Sequence, residues 1–176
     1  HEELLDSAVD VGGEVVFMGA GLPRLPRHFT PEFLAADDTR LGIIVSSARA
    51  MKILFANWHR KNGVVPDVVV VEGPMAGGHL GFKRHEIDDP AFALDNIFPP
   101  VVELAAEYSE TYGKKIPAIA AGGIFDGEDY WRAKAMGADG VQMGTRFAAT
   151  VESDSSQAFR EAYVRCRPED LVIIDS

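Results

Sequence analysis

Short apolar strands alternate with amphipathic helices along almost the whole chain, and this order constrains the fold more than any other feature. The clearest strand is residues 68–71, four consecutive valines that are typical of a strand buried on both faces. Short links of about 2–6 residues between elements are characteristic of repeated βα units. Such repeats predict an α/β fold with a parallel sheet whose functional sites lie at the carboxyl ends of the strands. The predicted strands are residues 15–18, 41–45, 68–72, 116–121 and 140–143.

The helices between these strands have clear start and stop signals. Thr30 and Pro31 are typical of a helix start, and Asp126 is typical of an N-cap. Gly63 and Gly113 follow the last apolar residues of two helical stretches, where glycine commonly ends a helix. The predicted helices are residues 2–9, 31–36, 48–60, 95–112, 127–136 and 155–165.

Three segments carry more specific expectations. Pro99 and Pro100 indicate that the regular part of the helix over residues 95–112 begins at the proline pair. Residues 171–174 are apolar and predict a strand or an extended segment. The helix over residues 155–165 is expected to turn four side chains inward. These are Ala158, Phe159, Ala162 and Tyr163.

Composition limits the classes of partner. The 176 residues fit one domain, and 47% hydrophobic content is ample for a core. The formal net charge of −10 disfavours nucleic acid and anionic membranes as partners. The single cysteine, Cys166, leaves no disulfide framework and favours a reducing, cytoplasmic location. No apolar run approaches the roughly 20 residues that span a bilayer, and no signal peptide is recognisable.

Glycines cluster directly after the predicted strands. Taken singly, each cluster is better explained as a tight turn, but four clusters on one predicted face favour a phosphate-bearing ligand, because glycine lets the backbone approach a ligand closely. Thr145 would add a hydroxyl donor there, and Arg146 a positive charge if it points inward. The glycines are Gly19, Gly21, Gly73, Gly77, Gly78, Gly122, Gly123 and Gly144.

His79 is the best candidate for proton transfer, because it lies on the glycine-rich loop after a buried strand and histidine titrates near neutral pH. Glu72 could orient a ligand or simply end its strand. Gln142 could bond the edge of a ring, or it could be buried with backbone partners. His79 and His85 are too few ligands for a metal site, and none is predicted.

Three stretches carry a specific motif pattern: VVFMGAGLP (15–23), VVVVEGPMAGGHLGF (68–82) and PAIAAGGIFDGEDYWRAKAMGADGVQMGTRF (117–147). Together they resemble the nitronate monooxygenase family, formerly called 2-nitropropane dioxygenases. FMN-dependent enoyl-acyl-carrier-protein reductases and some NAD(P)H:quinone reductases share the same barrel and similar motifs. The likeness extends over nearly the whole chain, and it is more specific for the superfamily than for the reaction.

The resemblance implies a (β/α)8 TIM barrel that holds FMN at the carboxyl ends of its strands. The resemblance also implies that the histidine of the family's AGGH motif, here His79, is the catalytic base. The residues that border the flavin are then Glu72, Gly77 and Gly78. Those that bind its phosphate and ribityl chain are Gly122, Gly123, Gln142, Met143, Gly144 and Thr145.

The resemblance also implies a reaction, the oxidative denitrification of alkyl nitronates or nitroalkanes with dioxygen. An NAD(P)H-dependent flavin reductase on the same scaffold is one alternative. Others are a non-catalytic βα fragment that binds a phosphate ligand and a barrel isomerase of a phosphorylated metabolite. The family's barrel begins with about three further βα units, so residues 1–176 are expected to form a single, partial FMN-binding barrel domain. The sequence leaves open whether the protein forms a homo-oligomer.

Overall fold

The computed structural model describes residues 2–36 and 38–174, which form five parallel strands with helices between them. The strands are β1 (Val15–Met18), β2 (Arg40–Val45), β3 (Val68–Glu72), β4 (Ala118–Ala121) and β5 (Gly140–Gln142). The α-helices are α1 (Glu2–Asp10), α2 (Pro31–Ala36), α3 (Ala48–Asn62), α4 (Leu94–Tyr112), α5 (Gly127–Ala135), α6 (Thr145–Ala148) and α7 (Gln157–Arg165).

Each strand pairs in parallel with the next one in the sequence, so the sheet order is β1-β2-β3-β4-β5. This consecutive order is that of a TIM-barrel wall, in which every strand is followed by a helix. β3 lies in the centre, where the side chains of Val69, Val70 and Val71 are fully buried. The predicted α/β class, the parallel sheet and the five βα units are therefore confirmed.

The core lies between the sheet and the helices α3 and α4. Met51, Phe55 and Trp58 of α3 are almost completely buried, as their spacing predicts. Phe98 and Val101 of α4 are equally inaccessible. Because these two helices follow β2 and β3, their packing fixes the loops that join them to the strand ends.

The loop after β1 is anchored to α3 by two side chains. The indole of Trp58 donates a hydrogen bond to the carbonyl oxygen of Pro23 at 2.9 Å. The side-chain amide of Asn62 donates to the carbonyl oxygen of Pro26 at 2.7 Å. Both donors are buried, so breaking either bond would leave an unsatisfied polar group. These bonds hold the segment between β1 and α2 along the C-terminal half of α3.

The expected start of α4 is wrong. The helix begins at Leu94 and continues through Pro99 and Pro100, rather than starting at the proline pair. A proline inside a helix costs a hydrogen bond and introduces a steric clash. Here the first turns bury Leu94 and Phe98, and this burial offsets the cost.

The C-terminal expectations are also partly wrong. Residues 171–174 are not in a strand, and their side chains are 40–82% exposed. Helix α7 forms as predicted, but it buries none of its residues, so the expected inward-facing side chains are wrong. Phe159 and Tyr163 pack on each other with ring centroids 5.0 Å apart and stay 49% and 38% exposed. The physical reason is that the described sheet ends at β5, so nothing beyond it offers a strand to pair with or a face to cover.

No helix in the described ranges is long and apolar enough to cross a membrane.

Candidate active site at the carboxyl ends of the strands

A cleft of about 290 Å³ opens at the carboxyl ends of β1, β2 and β3. Gly21 and Leu22 line it from the loop after β1, and Ser46 lines it from the end of β2. Glu72, the last residue of β3, and His79, on the following loop, complete the wall. The two candidates that carry titratable groups, Glu72 and His79, thus share one cleft.

Glu72 and His79 have different surroundings in this cleft. Glu72 is half-buried, and burial raises the pKa of its carboxyl above the ordinary value of 4.5. The imidazole of His79 is exposed, and it has no hydrogen-bond or ion-pair partner among residues 2–36 and 38–174. A free, accessible imidazole at the wall of a cleft can exchange a proton with a bound molecule.

Glu72 also contacts Gln142, two strands away. Glu72 pairs in register with Ala121 of β4, and Ala121 pairs with Gln142 of β5. Residues in register on neighbouring parallel strands face the same side of the sheet, and the small Ala121 lets the longer side chains meet above it. The amide Nε2 of Gln142 donates to Oε1 of Glu72 at 3.5 Å.

We expect Glu72→Gln to stabilise the protein at neutral pH. Because burial raises the pKa of Glu72 in the folded state, folding favours the protonated carboxyl. The stability that the protonated form contributes is fully present below pH 4.5 and is lost as the pH rises through the raised pKa. Glutamine keeps the acceptor oxygen that Gln142 uses and carries no charge. Thermal unfolding at about pH 7 should show a melting temperature higher by on the order of 1–2 °C, with no difference at about pH 4.

Glu152→Gln, at an exposed carboxyl outside the helices, controls for the change in net charge. Equal melting curves of the parent and the Glu72 variant at both pH values would contradict this prediction.

The loop after β4 lies against the loop that carries His79. Gly122 and Gly123 have φ angles of 85° and 79°, in the left-handed region that favours glycine. A Cβ at Gly122 would lie 2.9 Å from the carbonyl oxygen of Gly73, and one at Gly123 would lie 3.0 Å from the Cβ of Met75. The amide of Gly73 donates to the carbonyl oxygen of Ala121 at 2.9 Å. Glycine at 122 is therefore required by the approach of the two loops.

The loops after β4 and β5 leave backbone donors available to a phosphate. Within the described residues, the amides of Gly123, Gly144 and Thr145 have no backbone acceptor. Around Gly77, Gly78 and Gly144 a Cβ would find no atom within 4 Å, so open space lies beside all three. Exposed glycines and amides without a backbone acceptor are the features that phosphate-binding loops commonly use.

The structure therefore divides the predicted site residues into two groups. Glu72 and His79 line the cleft, whereas the residues of AGGI and QMGT lie outside it, on the strand ends next to it. The hydrogen bond between Glu72 and Gln142 joins the groups. The residues outside the cleft lining are Gly77, Gly78, Gly122, Gly123, Gln142, Met143, Gly144 and Thr145.

Two side chains near these loops are already occupied. Met143 packs against the hydrophobic core. The guanidinium of Arg146 stacks over the ring of Phe125 at 4.9 Å from its centroid. The positive charge of Arg146, which the sequence suggests for the phosphate site, thus lies against the loop after β4.

A sequence model of the nitronate monooxygenase family matches residues 2–175. The chain belongs to this family. A probable nitronate monooxygenase of Staphylococcus aureus (strain Newman) is 35% identical over 108 residues, which are 61% of this chain and 28% of that protein. The chain thus spans less than a third of the curated relative's length.

Solved structures agree with membership of the nitronate monooxygenase family. FabK from Thermotoga maritima superposes with a TM-score of 0.67 and 30% identity, over 93% of this chain and 43% of that one. The nitroalkane oxidase from Streptomyces ansochromogenes superposes with a TM-score of 0.63 and 26% identity, over 90% of this chain and 41% of that one. The expected family and TIM-barrel fold class are confirmed, and family membership indicates a flavin site.

Two cleft residues of this family member are not singled out by any sequence motif. They are Ser46, directly after β2, and Arg49, in the first turn of α3, and both line the cleft. The available signal was Arg49 itself, because a cation in the first turn of a helix is unfavourable for the helix dipole and α3 has no acidic residue there.

Proposed function

We propose that this chain carries the active-site face of an FMN-dependent oxidoreductase that oxidises alkyl nitronates or nitroalkanes with dioxygen. The observation that carries the proposal is the shared cleft of Glu72 and His79 in a chain that matches the nitronate monooxygenase family over residues 2–175. The nitroalkane oxidase among the structural neighbours supports the same substrate class. We further propose that residues 1–176 act as one FMN-binding unit in the cytoplasm.

FMN would lie across the strand ends. The free amides of Gly123, Gly144 and Thr145, with Gly122 beside them, would hold its phosphate and ribityl chain, and Gly77 and Gly78 would border its ring. Glu72 and Gln142 would meet the polar edge of the ring as a hydrogen-bonded pair. When bound, FMN supplies the two-electron redox chemistry.

His79 would act as the general base for neutral nitroalkanes. Its imidazole accepts the proton that leaves the carbon next to the nitro group, because the resulting nitronate is the form that is oxidised. A substrate supplied as the nitronate has already lost that proton and does not need the base. This difference between the two substrate forms gives a direct test of the role of His79.

The cleft also contains a cation suited to a nitronate. Arg49 lines the cleft and has no hydrogen-bond or ion-pair partner in the described part of the chain. A nitronate is an anion with two oxygens, which matches the paired donors of a guanidinium. We expect Arg49→Gln to raise the KM for an alkyl nitronate roughly 10-fold, since hydrogen bonds to charged groups contribute about 1.5–3 kcal/mol. Initial rates of oxygen uptake measure this effect.

Lys52→Gln is the matched control for Arg49. It removes one positive charge from the same helix, but its exposed side chain is outside the cleft lining. The KM should then stay within about twofold of the parent value. An equal effect of both substitutions would assign the change to overall charge and would contradict a contact between Arg49 and substrate.

Oxygen electrode and anaerobic titration experiments test the proposed reaction. FMN-loaded protein should consume oxygen with an alkyl nitronate and should not be bleached anaerobically by NAD(P)H. The reverse result would favour an NAD(P)H-dependent reductase, the second candidate, which the likeness to FabK supports. A protein that gains no flavin absorbance on incubation with FMN would contradict both.

A further inference from the structure

The segment that carries His79 has few internal restraints. Residues 77–82 make no backbone–backbone hydrogen bond within the described chain. The turn before the segment is closed by the amide of Ala76 and the carbonyl oxygen of Gly73 at 3.1 Å. The turn after it begins where the amide of Lys83 donates to the carboxylate of Glu86 at 2.7 Å. The position of His79 must therefore depend on contacts with other elements.

Among the described residues, one hydrogen bond ties this segment to the end of β2. The hydroxyl of Ser46 donates to the carbonyl oxygen of Gly81 at 3.1 Å, two residues after His79. The other contact at this end is between the rings of Phe82 and Phe92, with centroids 6.2 Å apart. The bond from Ser46 to Gly81 is therefore the polar restraint that acts closest to His79 along the chain.

Ser46 is itself held firmly. It follows Val45, which is buried at the end of β2, and it precedes Ser47, whose hydroxyl accepts the amide of Ala50 to cap α3. The contact with the segment is also close, because a Cβ at Gly81 would lie 2.5 Å from Oγ of Ser46. A hydroxyl fixed between a strand and a helix is a suitable anchor for a loop.

We propose that Ser46 is a positioning residue that holds the His79 segment against the end of β2, so that the imidazole stays in the cleft. The role rests on the proposed function of His79 as the base for neutral nitroalkanes. Ser46 acts through Gly81 and needs no contact with the substrate. Because Gly81 is exposed, water can bond its carbonyl oxygen once the hydroxyl is gone, so the fold survives and the position is lost.

The test is Ser46→Ala in the FMN-loaded protein, with two readouts. Amide order parameters of residues 77–82, measured by ¹⁵N relaxation, should fall from about 0.85 towards 0.6. Turnover of a neutral nitroalkane should fall roughly 10-fold, since small displacements of a catalytic group are costly. Turnover of the preformed nitronate should stay within about twofold of the parent value. Ser46→Thr, which keeps the hydroxyl, should restore both readouts.

Thr39→Val is the matched control. Its hydroxyl donates to the carbonyl oxygen of Gly13 at 3.0 Å, just before the opposite end of β2. Losing this bond removes the same kind of restraint far from the cleft. The substitution should leave the order parameters of residues 77–82 and the ratio of nitroalkane to nitronate turnover at the parent values.

Two results would overturn the proposal. One is an unchanged set of order parameters in Ser46→Ala, and the other is an equal loss of nitroalkane and nitronate turnover. If the parent protein oxidises neither substrate, the proposed function fails, and the order parameters still decide whether Ser46 restrains the segment.

Discussion

Replacing His79 with asparagine should lower the turnover of a neutral nitroalkane by about 10²-fold or more, the usual contribution of a general base. Asparagine is close to histidine in size and polarity, but its amide cannot take a proton near neutral pH. The imidazole is exposed at the cleft wall, so its loss leaves no buried group unsatisfied. We therefore expect the melting temperature and the flavin absorbance to stay unchanged. Steady-state oxygen uptake with the nitroalkane measures the effect.

The preformed nitronate provides the internal control for His79→Asn. It needs no deprotonation, so its turnover should stay within about threefold of the parent value. His85→Asn is the matched variant, because His85 is also exposed on the segment between β3 and α4 but does not line the cleft. Nitroalkane turnover that survives in His79→Asn would remove His79 from the mechanism. A similar loss in His85→Asn would point to a general effect on that segment.

The sequence predicts the sheet well, because each strand carries its own local signal. The valines of β3 are β-branched and uninterrupted, and Gly63 and Gly113 end helices α3 and α4 with φ angles of 72° and 65°. These features depend on neighbours in the chain. Strand order and direction then follow from the rule that repeated βα units form a parallel sheet.

Features that depend on distant residues could not be predicted in the same way. Pro99 and Pro100 lie inside α4 because Phe98 is buried against the core, and a local proline rule does not include that energy. Residues 171–174 have strand propensity but no strand beside them in the described sheet. A strand requires a partner as well as a favourable composition.

The candidate site also combines features with a local sequence signal and features that depend on distant residues. His79 and the glycines follow from the motifs, but the contact between Glu72 and Gln142 depends on the register of three strands with Ala121 in the middle. Likewise, Ser46 lies far from Gly81 in the sequence, and only the pairing of β2 with β3 brings their loops together. Such contacts become visible only once register is known.

Replacing Gly122 with alanine should destabilise the protein and weaken FMN binding. The φ angle of 85° costs a residue with a Cβ about 1–2 kcal/mol. The added Cβ would also lie 2.9 Å from the carbonyl oxygen and 3.0 Å from the amide nitrogen of Gly73, both of them backbone atoms that cannot rotate away. Overpacking of this kind typically costs a further 1–3 kcal/mol. Thermal unfolding should show a melting temperature lower by roughly 5–15 °C.

Gly127→Ala separates this effect from a general intolerance of larger residues in the loop. Gly127 is the first residue of α5, and a Cβ there would meet no atom within 4 Å. Its melting temperature and FMN dissociation constant should match the parent values. For Gly122→Ala we expect at least a 10-fold weaker FMN dissociation constant, measured by fluorescence titration. The reason is that relieving the clash moves the loop after β4 away from the loop that carries His79, and the proposed phosphate and ring contacts lie on those two loops. A Gly122 variant with parent-like FMN affinity and a lower melting temperature would show that this glycine serves the fold alone, and the proposed FMN site would then have to exclude it.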